Sequence, residues 1–338
     1  MKAVLVRNPG PESRLELGRV PAPQLGPGEV RLRVAATAVN RADLLQRRGL
    51  YPPPPGAPDI LGLECSGTVL ETAPDVEGWS AGDRAMALLA GGGYAGEVVV
   101  PAGCLLPVPR NLSLAEAAAV PEAFLTAHSN LFILGRLGRE EWALIHGGSG
   151  GVGTAAVQLV RLAGGRAAAT AGSEERCARV RDLGAEVALD HHRETLWEEL
   201  RAAAAPAGFS VILDCIGAAY LERHLELLGM GGRLVIIGLM GGRRAEIDLA
   251  PLLGKRLELM GSTLRGRPPG EKARIVEDFR RRFLDAFDDG MLRPVIHTAL
   301  PLERVEEAHR IMAAGNHFGK IVLVVDPALA GEVRPGTR

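Results

Sequence analysis

The stretch Trp142–Leu162, WALIHGGSGGVGTAAVQLVRL, runs an apolar strand into a glycine turn and from there directly into a helix. Gly148, Gly150 and Gly153 fall in the spacing G-x-G-x-x-G. In that pattern the first glycine permits the tight turn, the second lets backbone approach a pyrophosphate, and the third lets helix pack closely on strand. The helix N-terminus then offers unpaired N–H groups and a positive dipole end to an anion. In a chain with 43 glycines the spacing alone is weak, and the strand before it and the helix after it make it a phosphate site. The expected cofactor contacts here are Gly148, Ser149, Gly150, Gly151, Val152 and Gly153.

Outward from this stretch, apolar strands continue to alternate with helices: RAAAT, the helix CARVRDLG, AEVALD, a helix around TLWEELRAAAA, VILDCIG, RLVIIG and RLELMGS. Such alternation predicts a parallel sheet covered on both faces, with ligand at the carboxyl ends of its strands. The region before it differs, reading as short strands punctuated by Pro and Gly: KAVLV, EVRLRVAATAVN, ECSGTVLETA, DRAMALL and AGEVVVPA. Ser113 and Glu116 form a capping box that opens one helical bridge, AEAAAVPEAFLTAHSNLFIL. After Ser262 come a charged helix, EKARIVEDFRRRFLDAFDDG, a second helix, LERVEEAHRIMAAG, and a strand, GKIVLVV. The expected class is α/β: a doubly wound parallel-sheet domain, 122–262, inserted into a mostly β domain built from 1–121 and 263–338, with no internal repeat.

Composition narrows the function. The chain has 338 residues, 47% hydrophobic, enough for two cores, and a formal net charge of -1. That balance gives no electrostatic case for nucleic acid or an anionic membrane. No apolar run reaches the roughly 18 residues that span a bilayer, and the chain starts on KAVLV rather than a signal, so a soluble, cytoplasmic protein is expected. Cys65, Cys104, Cys177 and Cys215 are far apart and signal neither a disulfide framework nor a zinc lobe.

The segments VNRADLLQRRGLYPPPPG, ILGLECSG, DRAMALLAGGGYAGEV, GGSGGVGTAAVQL, TAGSEER, VILDCIG, GLMGG and FGKIVL together resemble the zinc-independent quinone oxidoreductases of the medium-chain dehydrogenase/reductase superfamily. The likeness runs over essentially the whole chain. It is greatest to the bacterial NADPH quinone oxidoreductases related to the stress-inducible mammalian enzyme, with zeta-crystallin more distant. The resemblance implies a GroES-like catalytic domain, a Rossmann domain, an NADPH cofactor, and a homodimer or dimer of dimers. It also implies a site without metal. Where zinc alcohol dehydrogenases of the superfamily carry a cysteine and a histidine, this chain has Asn40 and Leu63; the third ligand would come from the region of Glu122, and the loop with four structural cysteines is missing. Catalytic zinc needs three protein ligands drawn from Cys, His or acid, so none is expected.

Asn40 and Asp43, in VNRADLLQ, suit a helix cap and an acid in the first turn. The resemblance also puts Asn40 at the border of the nicotinamide pocket and Tyr51, in GLYPPPPG, beside nicotinamide and substrate. Thr126 either bonds its own helical turn or, by resemblance, approaches the nicotinamide carboxamide. Cofactor choice depends on the end of the second strand, where an NAD enzyme places an acid on the ribose hydroxyls. Here Ala171, Gly172 and Ser173 leave room for a 2′-phosphate, with Arg176 and His191 as further partners and Glu174 and Glu175 opposing it. Gly238, Leu239 and Met240 of GLMGG are expected beside the nicotinamide. His191 and His192 are adjacent, so their side chains are expected to diverge, which argues against a two-histidine metal site. His146 reads as a strand-end core residue.

These readings describe an NADPH-dependent reductase of quinones or related conjugated carbonyl compounds. A quinone needs little acid assistance, because its reduced form is a stabilised aromatic anion; Asn40, Tyr51 and Thr126 are therefore read as orienting groups. The alternatives are an enoyl or alkenal reductase on the same fold and, from another class, a non-catalytic NADPH-binding sensor or RNA-associated protein.

Overall fold

The computed structural model describes residues 1–334. It divides into two compact units, Met1–Leu125 with Leu264–Arg338, and Thr126–Thr263. The divisions fall after Leu125 and Thr263 rather than after residues 121 and 262, the first of them inside a helix, Pro121–His128.

In the first unit, β1 (Lys2–Arg7) and β2 (Arg14–Arg19) pair antiparallel as a separate ribbon. The main sheet is built on the long strand β3 (Glu29–Val39), which pairs antiparallel with β4 (Glu64–Thr72). Strands β5 (Arg84–Leu88), β6 (Glu97–Pro101) and β7 (Leu105–Pro107) extend it, β6 against β3 and the others beyond β4. The far end of β3 is buried residue after residue, Val34 to Val39, because both of its faces are covered. The helical bridge expected after Ser113 is broken in three. Its capping box forms, Glu116 N–H donating to Ser113 Oγ at 3.1 Å and Ser113 N–H to Glu116 Oε2 at 2.9 Å. The first helix, however, is only Leu114–Ala117, and the second starts at Pro121. Proline has no N–H to continue a helix and biases Val120 away from helical angles. Past His128 the segment Ser129–Leu134 widens to a π-helix.

The second unit holds β8 (Trp142–Ile145), β9 (Arg166–Ala171), β10 (Val187–Asp190), β11 (Phe209–Asp214), β12 (Leu228–Ile236) and β13 (Glu258–Gly261). Their order is β10-β9-β8-β11-β12-β13, all parallel. This is the doubly wound arrangement, in which the order reverses between the first and fourth strands and leaves a crevice at their carboxyl ends. Trp142, Leu144, Ala168, Phe209, Ile212 and Leu234 form one core with Leu196 and Leu200 of the covering helix. Two strands of the first unit follow: β14 (Ile296–Pro301) and β15 (Lys320–Val324), parallel to each other. Strand β15 pairs antiparallel with β3, Ile321 opposite Val39, so the end of the chain completes the sheet begun by its start.

The glycine turn after β8 divides its roles differently from the expectation. Gly147, not Gly148, takes the left-handed conformation, φ 68°, and its carbonyl accepts the Gly150 N–H at 2.9 Å. Gly148 instead packs on β9: a Cβ there would stand 2.8 Å from Ala169 Cβ, and its N–H donates to Thr170 O at 2.8 Å. At Gly153 a Cβ would stand 2.2 Å from Gly147 O, so the helix Gly151–Leu162 can seat on the turn only with glycine. At Gly150 the nearest atom to a Cβ is Gly147 O at 3.4 Å, which leaves that side open. Gly153→Ala should therefore lower stability by about 1–3 kcal/mol, as forced overpacking does, while Gly150→Ala stays within about 0.5 kcal/mol of wild type. Urea denaturation of both variants checks this; equal losses would mean the turn does not sit as described.

Candidate functional site

The topology of the first unit brings three chemistry-bearing residues to one place. Asn40 follows the last residue of β3, while Glu64 and Lys320 begin β4 and β15, the antiparallel neighbours on either side. Lys320 Nζ lies 2.7 Å from Glu64 Oε1 and donates to Asn40 Oδ1 at 2.6 Å and Val39 O at 3.2 Å. Asn40 Nδ2 donates to Glu64 Oε1 at 2.9 Å. Glu64 is 0% exposed and Lys320 4%. The second Glu64 oxygen accepts the Glu122 N–H at 2.8 Å, placing a carboxylate at the N-terminus of the helix Pro121–His128, where the dipole favours it. The Asn40 side chain thus joins this ion pair while Asn40 also stands as N-cap of the helix Arg41–Arg47, in a capping box with Asp43. In that box Asn40 N–H donates to Asp43 Oδ2 at 2.7 Å.

Asp43 is fully buried; its carboxylate also accepts the Gly62 N–H at 3.0 Å and the Tyr94 hydroxyl at 3.2 Å. Burial pushes its carboxyl up to about 6 against those hydrogen bonds and the Lys320 charge, so it is ionised at neutral pH. Tyr94 also meets His309 Nε2 at 3.2 Å, and burial holds that imidazole down to about 3, hence neutral.

Tyr51 lies in the same unit as Asn40. Its loop is clamped by the buried Arg265, which donates to Tyr51 O at 3.3 Å, Ala90 O at 2.7 Å and Gln46 Oε1 at 2.8 Å. The guanidinium carbon stands 5.4 Å from the Tyr51 ring centroid, a cation–π contact. Burial raises the phenol above its ordinary range, helped by the Glu122 charge. Thr126 belongs to the second unit; its carbonyl accepts Asn130 Nδ2 at 2.7 Å, and its hydroxyl makes no hydrogen bond among the described residues.

Glu64, Lys320 and Arg265 were not foreseen as functional groups from the sequence, and Glu122 only as a lost ligand. The available signal was a charged residue inside otherwise apolar strands, ILGLECSG and GKIVLVV. Of the two positions that the resemblance assigns to zinc ligands, Asn40 is hydrogen-bonded to Glu64 and Lys320, and Leu63 is buried and has no donor atom. Among the described residues no group of three His, Cys, Asp or Glu side chains gathers there.

In the second unit, the end of β9 forms a small concavity over Gly172. A Cβ there would stand 3.3 Å from both Arg176 Nη1 and His191 Cε1, so a cation and an imidazole converge on it. Ser173 caps the helix Glu174–Asp182, its Oγ accepting the Arg176 N–H at 3.3 Å. The His191 Nδ1 lies 2.7 Å from Ala171 O, which assigns its proton to Nδ1 and leaves Nε2 outward. Glu174, expected to repel a phosphate, is paired with Arg181 at 2.6 Å. The His191 and His192 rings do not diverge: their centroids are 4.1 Å apart, because Asp190 Oδ1 draws His192 Nδ1 back to 2.8 Å. With Asp190 they bring three ligand-type atoms within 4.8 Å.

Beneath the turn, the buried His146 bonds Thr170 Oγ1 through Nδ1 at 2.9 Å and His224 Nε2 through Nε2 at 2.9 Å. Burial keeps both imidazoles neutral, the second held down to about 3. At the other end of the crevice, Met240 N–H donates to Cys215 O at 3.2 Å and Gly241 N–H to Ile216 O at 2.7 Å. This backbone contact leaves Leu239 and Met240 side chains more than half exposed.

Sequence profiles match along both units: the alcohol dehydrogenase GroES-like domain over residues 26–110 and the zinc-binding dehydrogenase family over residues 151–281. A quinone oxidoreductase of Rattus norvegicus is 30% identical over 90% of this chain and 91% of its own length. The quinone oxidoreductase of Thermus thermophilus, solved alone and with NADPH, superposes with a TM-score of 0.80 at 36% identity, covering 96% of this chain and 100% of that one. The pikromycin polyketide synthase component of Streptomyces venezuelae is 35% identical over 91% of this chain, which spans only 8% of that protein's length. The chain therefore belongs to the medium-chain dehydrogenase/reductase superfamily.

Proposed function

We propose that this protein is a zinc-independent, NADPH-dependent reductase of quinones or related conjugated carbonyl compounds. The reading rests on the residues at two positions that the resemblance assigns to zinc ligands, Asn40 and Leu63, of which leucine has no donor atom. Without a Lewis acid to polarise an isolated carbonyl, the acceptor must be one whose conjugation takes up the electron pair by itself. Bound NADPH would supply a hydride; the protein supplies position and water exclusion. The turn from Gly147 to Gly153 would hold the pyrophosphate on the helix N-terminus, and Ser173, Arg176 and His191 around Gly172 would hold the 2′-phosphate. Tyr51, fixed by Arg265, and Asn40, fixed by Lys320 and Glu64, would present a preset polar wall to the acceptor, with Thr126 toward the nicotinamide.

Strand β13 is an edge of its sheet, bonded only to β12, and Leu259 on it and Leu249 and Leu253 before it are exposed. We propose that this edge pairs with a second copy, giving at least a homodimer. Light scattering should give twice the chain mass, and Leu259→Lys should shift it toward the monomer; a monomeric wild type would overturn the pairing.

Oxidation of NADPH followed against a panel of quinones and enones tests the activity. Turnover of quinones to hydroquinones supports the quinone reading, saturated ketones from enones support an enoyl or alkenal reductase, and no turnover with either class would refute both. For the cofactor, Ser173→Asp keeps a good helix cap but sets a carboxylate against the 2′-phosphate. The NADPH/NADH ratio of kcat/KM should fall by about tenfold or more, measured at fixed ionic strength because salt screens the effect. An unaltered ratio would remove this strand end from cofactor selection.

A further inference from the structure

We propose that Glu122 is the proton donor of the reduction: a carboxylic acid with one oxygen buried and without a hydrogen-bond partner among the described residues, which protonates the acceptor once hydride has arrived. This rests on the reductase reading above and adds a residue and a step to it.

An ionised carboxylate needs hydrogen-bond donors; those of the neighbouring Glu64–Lys320 cluster are taken, and Lys272 acts on Glu122 by charge without a hydrogen bond to its Oε2. Lys320 has three N–H groups, directed to Glu64 Oε1, Asn40 Oδ1 and Val39 O. Both Asn40 side-chain N–H groups go to Glu64 Oε1 and Ala38 O. The Asn40 and Gly62 backbone N–H groups go to Asp43. Glu122 is left with its Oε2 buried and without a hydrogen-bond partner among the described residues. Its own N–H is fixed to Glu64 Oε2 at 2.8 Å, so the residue is held at the start of its helix. A neutral acid tolerates this setting far better than a carboxylate does.

The charges act in the same direction. Burial raises the Glu122 carboxyl first, then Glu64, with Asp43 adding to it; Lys320 and Lys272 pull it down. The balance pushes it up to about 8, so the acid form predominates at neutral pH. Tyr51, the other proton-bearing group at this wall, is made a weaker acid by burial and by the Glu122 charge. A group that is still protonated at pH 7 but gives its proton up near 8 is matched to general-acid work.

In the reaction, hydride adds to the conjugated end of the acceptor, a π bond breaks, and its electron pair moves to oxygen or to the α-carbon. The Glu122 O–H bond breaks, its proton bonds to that atom, and the carboxylate regains a proton from water. Each turnover oxidises one NADPH, consumes one proton and reduces the acceptor by two electrons.

Two measurements test this. Carboxyl ¹³C NMR of the cofactor-free protein should show one glutamate titrating near 8 and missing from Glu122→Gln; no such signal would overturn the proposal. In turnover of an enone, Glu122→Gln should lower kcat by about 100-fold, within the range for a lost general acid, with KM changed far less. Glu122→Asp should recover part of the rate. Wild-type activity should fall as pH rises through about 8, where the acid is lost, and the Gln variant should lack that limb. If the wild type reduces neither quinones nor enones, the reductase reading fails and the proton donor with it. If it does and Glu122→Gln matches it across the pH range, only the proton donor falls.

Discussion

Burying the Glu64–Lys320 ion pair is the constraint on which the first unit is organised. Taking two charges out of water costs several kcal/mol per ion, and mutual attraction offsets this only when the remaining lone pairs and protons are also satisfied. Here they are: both Glu64 oxygens accept hydrogen bonds and every Lys320 N–H has an acceptor. Losing either partner would strand the other, at about 3–5 kcal/mol. That penalty fixes register, since a one-residue slip of β4 or β15 against β3 would turn its charge to the opposite face. Asn40, Glu122 and the start of the helix Pro121–His128 inherit their positions from this pair. The polar wall at the site is a by-product of how the sheet is held in register.

What the sequence showed and what it hid divide along a physical line. The strand, turn and helix around Gly148 were legible because each follows from neighbours in the chain: apolar run, glycine spacing, helix former. The capping box at Ser113 and the alternation that demands a parallel sheet are equally local. The Glu64–Lys320–Asn40 cluster was not legible, because it depends on which strands lie side by side, and β15 reaches β3 from the far end of the chain. The division of labour between Gly147 and Gly148 depends on the distance to β9, which spacing does not encode. Pro121 was visible in the sequence, and reading a single helix through it gave propensity too much weight over a missing donor. The adjacent histidines were misread for a local reason: Asp190, two residues before His192, draws that ring back over its neighbour.

The two ends of the proposed cofactor crevice are set by different means. At β9 the setting is electrostatic, with Arg176 and His191 facing over Gly172 while Glu174 is paired with Arg181. At Gly238 to Gly242 it is steric: Gly241 packs so closely on Ile216 that a Cβ would stand 2.7 Å from its side chain. Between them the buried, neutral His146 and His224 share one N–H and tie β8, β9 and the helix Leu221–Leu227 together without introducing charge beneath a phosphate site. Neutrality there matters because a buried imidazolium would alter the field felt by an anion on the turn above it.

Because Lys320 comes from the last strand, the polar wall cannot close while the chain is still being made. Glu64 leaves the ribosome early and waits through synthesis of the whole nucleotide-binding unit, on the order of tens of seconds at about 5–20 residues per second. During that interval the sheet lacks two strands, β14 and β15, and the Glu64 counter-ion, whereas the inserted unit has all six of its own strands and can fold first. Nascent chains of this protein should thus complete the inserted parallel-sheet unit before the unit that surrounds it, inverting the order in which the two begin in the sequence.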